Sequence, residues 1–412
     1  MTDNGQDVVT SPADQTTGRP GDGAGIELTI LMPCLNEART LPLCIGKALG
    51  FLARSGVIGE VLVADNGSTD GSQALALAHG ARVVEVAAKG YGSALIGGIR
   101  AARGRCVILA DSDDSYDFGE LDAFVARLRD GWHLVIGNRF AGGIRPGAMP
   151  FLHRYLGNPV LTTIGRVLYR SPCGDFHCGL RGFDRAAILG LDLRASGMEF
   201  ASEMIVKAAV HGLRVTEVPT TLSPDGRDRA PHLRSWHDGW RHLRFLLLFS
   251  PRWLFFYPGA VMFGVGTLVM LRLVIGPVVI ASVGFDINSL QYASAATVIG
   301  WQSMIFWVCA KVHGTIEGIV PPDPGFERVL GCMTLERSLL ASLALFMVGL
   351  LLAIGSVADW GAGGFHALDP SHSMRLVIPA VTVMLAAVQS AYGAVFVTFL
   401  NISTSKHVAG ET

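Results

Sequence analysis

Apolar runs and helical patterns alternate through residues 27–137. The runs at 27–32, 60–65, 81–86, 106–110 and 133–137 predict strands, and the stretches 40–53, 70–79, 91–103 and 119–130 carry helical spacing. Such alternation predicts a parallel sheet with helices on both faces. Between 138 and 232, glycines, arginines and prolines loosen the pattern, with helices predicted at 151–169 and 199–211. Walls and lids of active sites often have this texture. In 233–250, Trp236, Trp240, Leu243 and Leu247 share one helical face and Arg234, Asp238 and Arg241 another, which predicts an interfacial helix. Long apolar stretches follow at about 254–276, 291–312, 338–358 and 376–400. Each is long enough to cross a hydrocarbon core of about 30 Å.

Composition agrees with a chain that is part soluble and part membrane. Of 412 residues, 50% are hydrophobic and 16% charged, and the mean hydropathy is +0.41. A net charge of -1 says nothing about nucleic acid or an acidic partner, and no nucleic acid is expected as a partner. The expected division is a disordered polar tail at 1–25, a catalytic domain at 26–232, an interfacial helix at 233–252, a membrane domain of four spans at 253–402, and a short tail at 403–412. The 1–25 stretch has no apolar segment of the secretory kind. Arginines crowd the approach to the first span (Arg227, Arg229, Arg234, Arg241, Arg244, Arg252), while the 277–290 loop has no Lys or Arg. That asymmetry predicts both termini and the catalytic domain on the cytoplasmic side of a multi-pass membrane protein. Seven scattered cysteines predict reduced thiols. Cys173 and Cys178 flank His177, but without a second pair at zinc spacing they read as neutral thiols.

Candidate chemistry collects at the carboxyl ends of the predicted strands, where open α/β sheets bind ligands. Asn36-Glu37, Asp65-Asn66-Gly67-Ser68, Lys89-Gly90-Tyr91-Gly92, Asp111-Ser112-Asp113 and Asn138-Arg139 follow the five strands in turn. Asp111 and Asp113, two residues apart at a strand end, point to the same side. They suit a hard divalent cation that holds a diphosphate. Asp114 and Asp117 are candidates to support them. Asp65 can accept hydrogen bonds from a base or ribose, with Thr69 or Asp70 as a helix cap.

The stretches Met32-Pro33-Cys34-Leu35-Asn36-Glu37 and Val63-Ala64-Asp65-Asn66-Gly67-Ser68-Thr69-Asp70, with the Asp111/Asp113 pair, resemble family 2 glycosyltransferases. Asp175-Phe176-His177-Cys178-Gly179-Leu180-Arg181 and the membrane-proximal arginines resemble the branch of polyprenyl-phosphate (dolichyl-phosphate) hexose synthases. The resemblance covers about residues 27–250 and implies a GT-A-like α/β domain, mainly parallel in its sheet, followed by an α-helical membrane domain. It implies that Pro33, Asn36, Glu37 and Asp65 line the nucleoside pocket, with Lys89 close by. Asp111 and Asp113 would hold Mg²⁺ or Mn²⁺. Arg139, Arg154, Arg181, Arg229 and Arg234 would meet the acceptor phosphate, and Asp175 would lie near the reacting centre. Asn66 departs from the second Asp common in the family.

These readings predict a metal-dependent inverting transfer of a hexose from UDP-glucose or GDP-mannose to polyprenyl phosphate. An ionised phosphate monoester, with a second pKa of about 6, needs no strong base, so Asp175 would position more than deprotonate. Glu199 and Glu203 share a helix face, either reaching sugar hydroxyls or forming an ordinary exposed pair. Arg227, Arg229 and Arg234 would close over the acceptor or face membrane lipids. The spans would anchor the enzyme and are candidates for homo-oligomer contacts. The alternatives are a glycosyltransferase with a hydroxyl acceptor, or a lipid-linked sugar translocator with a nucleotide-sensing domain.

Overall fold

A computed structural model describes residues 25–169, 171–226, 235–317, 320, 322–365 and 369–408. In chain order the elements are β1 (Leu28–Cys34), α1 (Leu41–Ser55), β2 (Gly59–Asp65), α2 (Ser72–Ala78), β3 (Arg82–Glu85), α3 (Tyr91–Ala101), β4 (Cys106–Leu109), α4 (Asp122–Arg129), β5 (Leu134–Asn138) and α5 (Arg139–Gly142). They continue with α6 (Asn158–Tyr169), β6 (Arg181–Asp184), α7 (Arg185–Leu189), α8 (Phe200–Val210), β7 (Val215–Pro219) and α9 (Ser235–Leu248). The last stretch holds α10 (Tyr257–Ile275), a hairpin of β8 (Val278–Ile280) and β9 (Val283–Phe285), α11 (Ile287–Ile316), α12 (Pro324–Cys332), α13 (Leu335–Ala362) and α14 (Pro370–Val408). The chain packs as two compact units interleaved in sequence: 1–150, 178–197 and 216–231 in one, and 151–177, 198–215 and 232–412 in the other.

The first unit is a seven-stranded sheet in the order β3-β2-β1-β4-β6-β5-β7. β4, and β1 apart from Thr29, are apolar, and both strands are buried along their whole length, the pattern of strands covered on both faces. β1 pairs in parallel with β2 and β4, and β2 with β3. α1 buries Leu41, Cys44, Ile45, Ala48, Phe51 and Leu52 at helical spacing, carries a proline as its second residue and stops at Gly56, whose φ of 65° takes the left-handed cap. β6 enters antiparallel between β4 and β5. The two antiparallel steps restore β5 to the direction of β4, so the end of β5 shares an edge with the ends of β1, β2 and β4. The start of β6 lies at that edge too, since Arg181 is in register with Leu109.

The second unit holds α6, α8, α9 and the helices that follow. Tyr169 Oη donates to the Leu246 carbonyl at 2.5 Å, Ser202 Oγ lies 2.8 Å from His242 Nδ1, and Arg241 pairs with Glu199 at 2.7 Å. Four helices are long and apolar enough to cross a membrane: Arg252–Ile275, Ile287–Ile316, Leu335–Ala362 and Pro370–Asn401. Small residues let them approach, as in membrane interfaces generally. A Cβ on Gly300 would lie 2.3 Å from the Phe263 amide nitrogen, and one on Gly349 would lie 2.9 Å from the Ala380 carbonyl. Polar side chains add Ser294–Thr382 at 2.6 Å and Trp301–Ser390 at 2.9 Å.

Candidate active site

The strand ends of the first unit are clasped to one another before any ligand is considered. The Asn36 amide donates to Ser68 Oγ, Asn36 Oδ1 accepts from the Thr69 amide, and the Glu37 amide donates to Ser72 Oγ. Asp70 accepts from the Ala38 amide and from the Ser72 amide that starts α2, so it ties the β1 loop to the β2 loop and serves the first turn of α2, whose N-cap position is Gly71. Pro33 is buried at the end of β1, and its carbonyl accepts from Ser112 Oγ at 2.8 Å. Thr40 Oγ1 donates to the Ser112 carbonyl at 2.7 Å.

Asp65 is buried at this junction. Its Oδ2 accepts from the Gly67 amide (2.9 Å), the Ser68 amide (3.1 Å) and Gln73 Nε2 (2.6 Å), while Oδ1 is buried without a hydrogen-bond partner. Burial works to raise the Asp65 pKa, but hydrogen bonds from Ser68, Gln73 and Gly67 outweigh it and hold the carboxyl below its ordinary value. One oxygen is thus fixed by the protein and the other is left to accept. Asn66 is consumed in structure: its Nδ2 donates to the carbonyls of Val86 (2.9 Å) and Ala88 (2.7 Å), and its Oδ1 accepts from the Gly90 amide. The two carbonyls require a donor, which explains Asn in place of the family's Asp. It also takes Asn66 out of contention for the base or ribose. Exposed Lys89 donates from Nζ to the Asn66 carbonyl at 2.7 Å, and Gly67, at φ 90°, leaves the space, since a Cβ there would lie 2.2 Å from that Nζ.

Asp111 and Asp113 follow the end of β4. Asp113 Oδ1 accepts from Ser115 Oγ (2.6 Å) and the Ser115 amide (3.1 Å). Gly226 donates to the Asp113 carbonyl at 2.8 Å, the last link before Arg227, Arg229 and Arg234, which lie outside the described residues. Tyr91 donates its hydroxyl to Asp111; burial, then the Asp111 charge, push the phenol pKa far up, and Arg181 opposes. Tyr116 Oη accepts from the Gly179 amide at 2.9 Å; burial pushes its pKa up as well, while the Arg139 charge opposes. A Cβ on Gly179 would lie 2.7 Å from Asp111 Oδ2. Asp111 therefore sits between two phenols, each acted on by a guanidinium charge, and beside a glycine that clears space for its oxygen. Asp114 is held by Lys47 at 2.7 Å, and Asp117 accepts from the Gly119 amide in a turn.

Pro33, Asn36, Glu37, Asp65, Lys89, Asp111, Asp113, Arg139 and Arg181 thus all belong to the first unit. Arg139 is 7% exposed where Asn138 caps α5. Arg181 is 1% exposed and donates from Nε to the Cys178 carbonyl, a buried charge that acts on Tyr91. Asp175 and Arg154 belong to the second unit. Asp175 is fully buried beside Phe176, whose amide faces Thr162 Oγ1, and half-buried Arg154 lies 5.5 Å over the Tyr155 ring. Glu203 is not an exposed residue but pairs with Lys207 in the interior at 3.0 Å, and Glu199 is taken by Arg241. Sequence reasoning missed Tyr116, and it quoted Tyr91 and Gly179 within their stretches without giving either a role. The signals were present in the Gly before Leu-Arg and in the Tyr after Lys-Gly.

Among the described residues no group of three or more His, Cys, Asp or Glu side chains converges into a cage. Asp111 and Asp113 offer a carboxylate pair, and a cation held by so few protein ligands completes its shell with water and substrate phosphates. That donor set fits Mg²⁺ or Mn²⁺.

Residues 29–190, the span that builds this strand edge, match the family described as glycosyl transferase family 2, and residues 308–401 match the glycosyltransferase family 2 C-terminal transmembrane region. The low-salt glycan biosynthesis hexosyltransferase Agl6 of Haloferax volcanii is 35% identical over 88% of this chain and 86% of its own. The chain belongs to glycosyltransferase family 2. It is a membrane glycosyltransferase with a GT-A-like sheet unit. The dolichyl-phosphate hexose transferase of the same organism is 28% identical over 47% of the chain and 81% of its own length. A more distant likeness, to glucosyl-3-phosphoglycerate synthase from Mycobacterium tuberculosis in complex with Mn²⁺ and UDP-glucose, has 24% identity and a TM-score of 0.44 over 55% of this chain and 79% of the other.

Proposed function

We propose that this enzyme transfers a hexose from a nucleotide sugar to a hydroxyl of a membrane-borne glycan. The observation that carries the acceptor class is the extent of the likeness to the glycan-biosynthesis hexosyltransferase, which runs through the catalytic unit and the spans alike. The likeness to the dolichyl-phosphate hexose transferase stops at about half of the chain. That partial likeness supports a second reading, transfer to polyprenyl phosphate.

In either case Asp65 receives the nucleoside on its unpartnered oxygen, with Pro33, Asn36, Glu37 and Lys89 around it. UDP-glucose and GDP-mannose are the candidate donors. Asp111 and Asp113 hold a divalent cation, which when bound neutralises the leaving nucleoside diphosphate. Arg139 adds a guanidinium fork for phosphate oxygens, and Arg181 fixes the charge balance under Asp111. A hydroxyl acceptor must lose a proton as it attacks the anomeric carbon, the role proposed for Asp175 in a single inverting displacement. Arg154, Arg229 and Arg234 are assigned to an anionic acceptor or to lipid headgroups. Both termini are proposed to be cytoplasmic.

The test supplies full-length enzyme in membranes with radiolabelled UDP-glucose or GDP-mannose, with and without EDTA, and with either a lipid-linked saccharide or polyprenyl phosphate as acceptor. Label is expected on the saccharide only when metal is present. Label on polyprenyl phosphate alone selects the second reading, and no labelled lipid from any donor ends both. Asp175→Asn is expected to abolish transfer to a hydroxyl, whereas transfer to an ionised phosphate would survive in part.

A further inference from the structure

The two carboxylates assigned to the cation are held in different ways. Asp113 accepts from within its own loop, from the hydroxyl and amide of Ser115 two residues on. Half-buried Asp111 receives its hydroxyl from another element, from Tyr91, the first residue of α3. The residues around that junction fix where the phenol stands. Gly90, just before the helix, has a φ of 124°, a conformation that glycine adopts at no steric cost. A Cβ on Gly90 would lie 2.2 Å from the Ser196 carbonyl, which accepts from the Ser93 amide in the first turn of α3 at 3.3 Å. The Gly90 amide donates to Asn66 Oδ1 at 2.9 Å. The start of α3 is thus tied on one side to the β2 loop and on the other to the segment after α7. Further along, α3 lies so close to the sheet that a Cβ on Gly98 would meet Leu31 Cδ1 at 2.5 Å. A helix seated at both places presents Tyr91 in one position only.

We propose that Tyr91 is a positioning residue of the metal–diphosphate site, whose hydroxyl holds the Asp111 carboxylate in the orientation that meets the cation. The inference rests on the reading of Asp111 and Asp113 as the cation's protein ligands. An aspartate turns about two side-chain bonds, and each has several accessible settings unless a partner selects one. With so few protein ligands, the affinity of the site depends on each of them being preset. For Asp113 the loop itself does this through Ser115. For Asp111 the space on one side is left by Gly179, where a Cβ would lie 2.7 Å from Oδ2, so the glycine does not hold the carboxylate. The phenol supplies the directed bond that the glycine cannot. A donated hydrogen bond also draws charge from the carboxylate and weakens its pull on a cation. Orientation outweighs that loss, since removal of such an outer hydrogen-bond partner costs about 10–100-fold in metal affinity.

Calorimetric titration of UDP into the full chain in nanodiscs tests it, in EDTA and over a series of Mn²⁺ concentrations. Mn²⁺ is expected to raise the affinity for UDP, and the Mn²⁺ concentration at half of that gain is the readout. Tyr91→Phe keeps the ring and its packing and removes only the hydroxyl. The half-point is expected to rise about 10–100-fold in this variant, while its UDP affinity in EDTA stays that of the wild type. Retained affinity in EDTA shows that the variant is folded and that its nucleoside pocket is intact. An unchanged half-point overturns the proposal. So does an equal loss of UDP affinity with and without Mn²⁺, which assigns the hydroxyl to the nucleotide or to the fold. A wild type whose UDP affinity ignores Mn²⁺ removes the cation reading itself and this inference with it. A wild type that responds, matched by a variant with the same half-point, removes only the role of Tyr91.

Discussion

Asp65 commits one oxygen to three protein donors and keeps the other buried without a hydrogen-bond partner. In Asp65→Asn the amide oxygen must take over the three donors, so the NH₂ replaces the acceptor on the other side. A charge-assisted bond lost in this way weakens UDP binding by roughly 10–100-fold, with calorimetric titration as the measurement. Unchanged affinity counts against Asp65 as the nucleoside contact. The pH dependence follows from the same bonds. The folded carboxyl lies below its ordinary value, so the stability it contributes is present above the unfolded value of about 3.9 and is lost as pH falls through the folded one. Thermal midpoints should therefore show no loss from Asp65 between about pH 5 and 8, and an acid limb below that. For Asn66, the Asp substitution sets a carboxylate against the Val86 and Ala88 carbonyls. It should cost about 1–3 kcal/mol, read as a lower thermal midpoint that added UDP does not fully restore. Equal stability would remove the clasp as the reason for Asn.

The parallel strands and the helices between them were legible because each carries its own apolar period. Among the spans, the prediction of 254–276 meets Arg252–Ile275 and that of 376–400 meets Pro370–Asn401, because length and hydropathy decide them locally. β6 was not legible. Arg-Gly-Phe-Asp has no apolar run, and its place between β4 and β5 is set by pairing over a long sequence distance, as Leu109 with Arg181 shows. The same insertion hid part of the site, since it brings Gly179 and Arg181 to the strand edge. Asp65, Asp111 and Asp113 could be read from their strand-end positions, whereas the hydroxyl of Tyr91 on Asp111 depends on how α3 is seated. Packing of the spans likewise depends on partners. Gly300→Leu places a branched side chain where the Phe263 amide nitrogen lies 2.3 Å from an ideal Cβ. Separation of α10 from α11 should cost about 1–3 kcal/mol or more, measured as a lower midpoint in nanodiscs. Gly264→Ala, with nothing within 4 Å of the new Cβ, should leave the midpoint unchanged. Similar effects of both would remove helix approach as the explanation.

At the scale of the whole molecule, composition changes after residue 232, but packing does not follow that break. Residues 151–177 and 198–215 cluster with the helices beyond 232. The bonds that hold them there end on α9: Tyr169 on the Leu246 carbonyl, Ser202 on His242 and Glu199 on Arg241. A chain ended after Pro231 removes all three partners at once. It leaves the half-buried Glu199 carboxylate without its arginine, Ser202 without its histidine, and the apolar underside of α6 and α8 in water. Uncompensated groups of this kind are among the few single causes of large destabilisation. A chain ended after Ser250 keeps α9 and loses only the spans. The shorter chain should therefore elute as aggregate and bind a hydrophobic dye. The longer one should elute as a folded species in detergent, with UDP raising its midpoint as in the full protein, since ligand at about 100 times its Kd adds about 2.7 kcal/mol. Size-exclusion chromatography and thermal unfolding with and without UDP decide between them. A soluble, UDP-stabilised chain ending at 231 would show that the catalytic unit stands without α9, and that composition alone marks the true boundary.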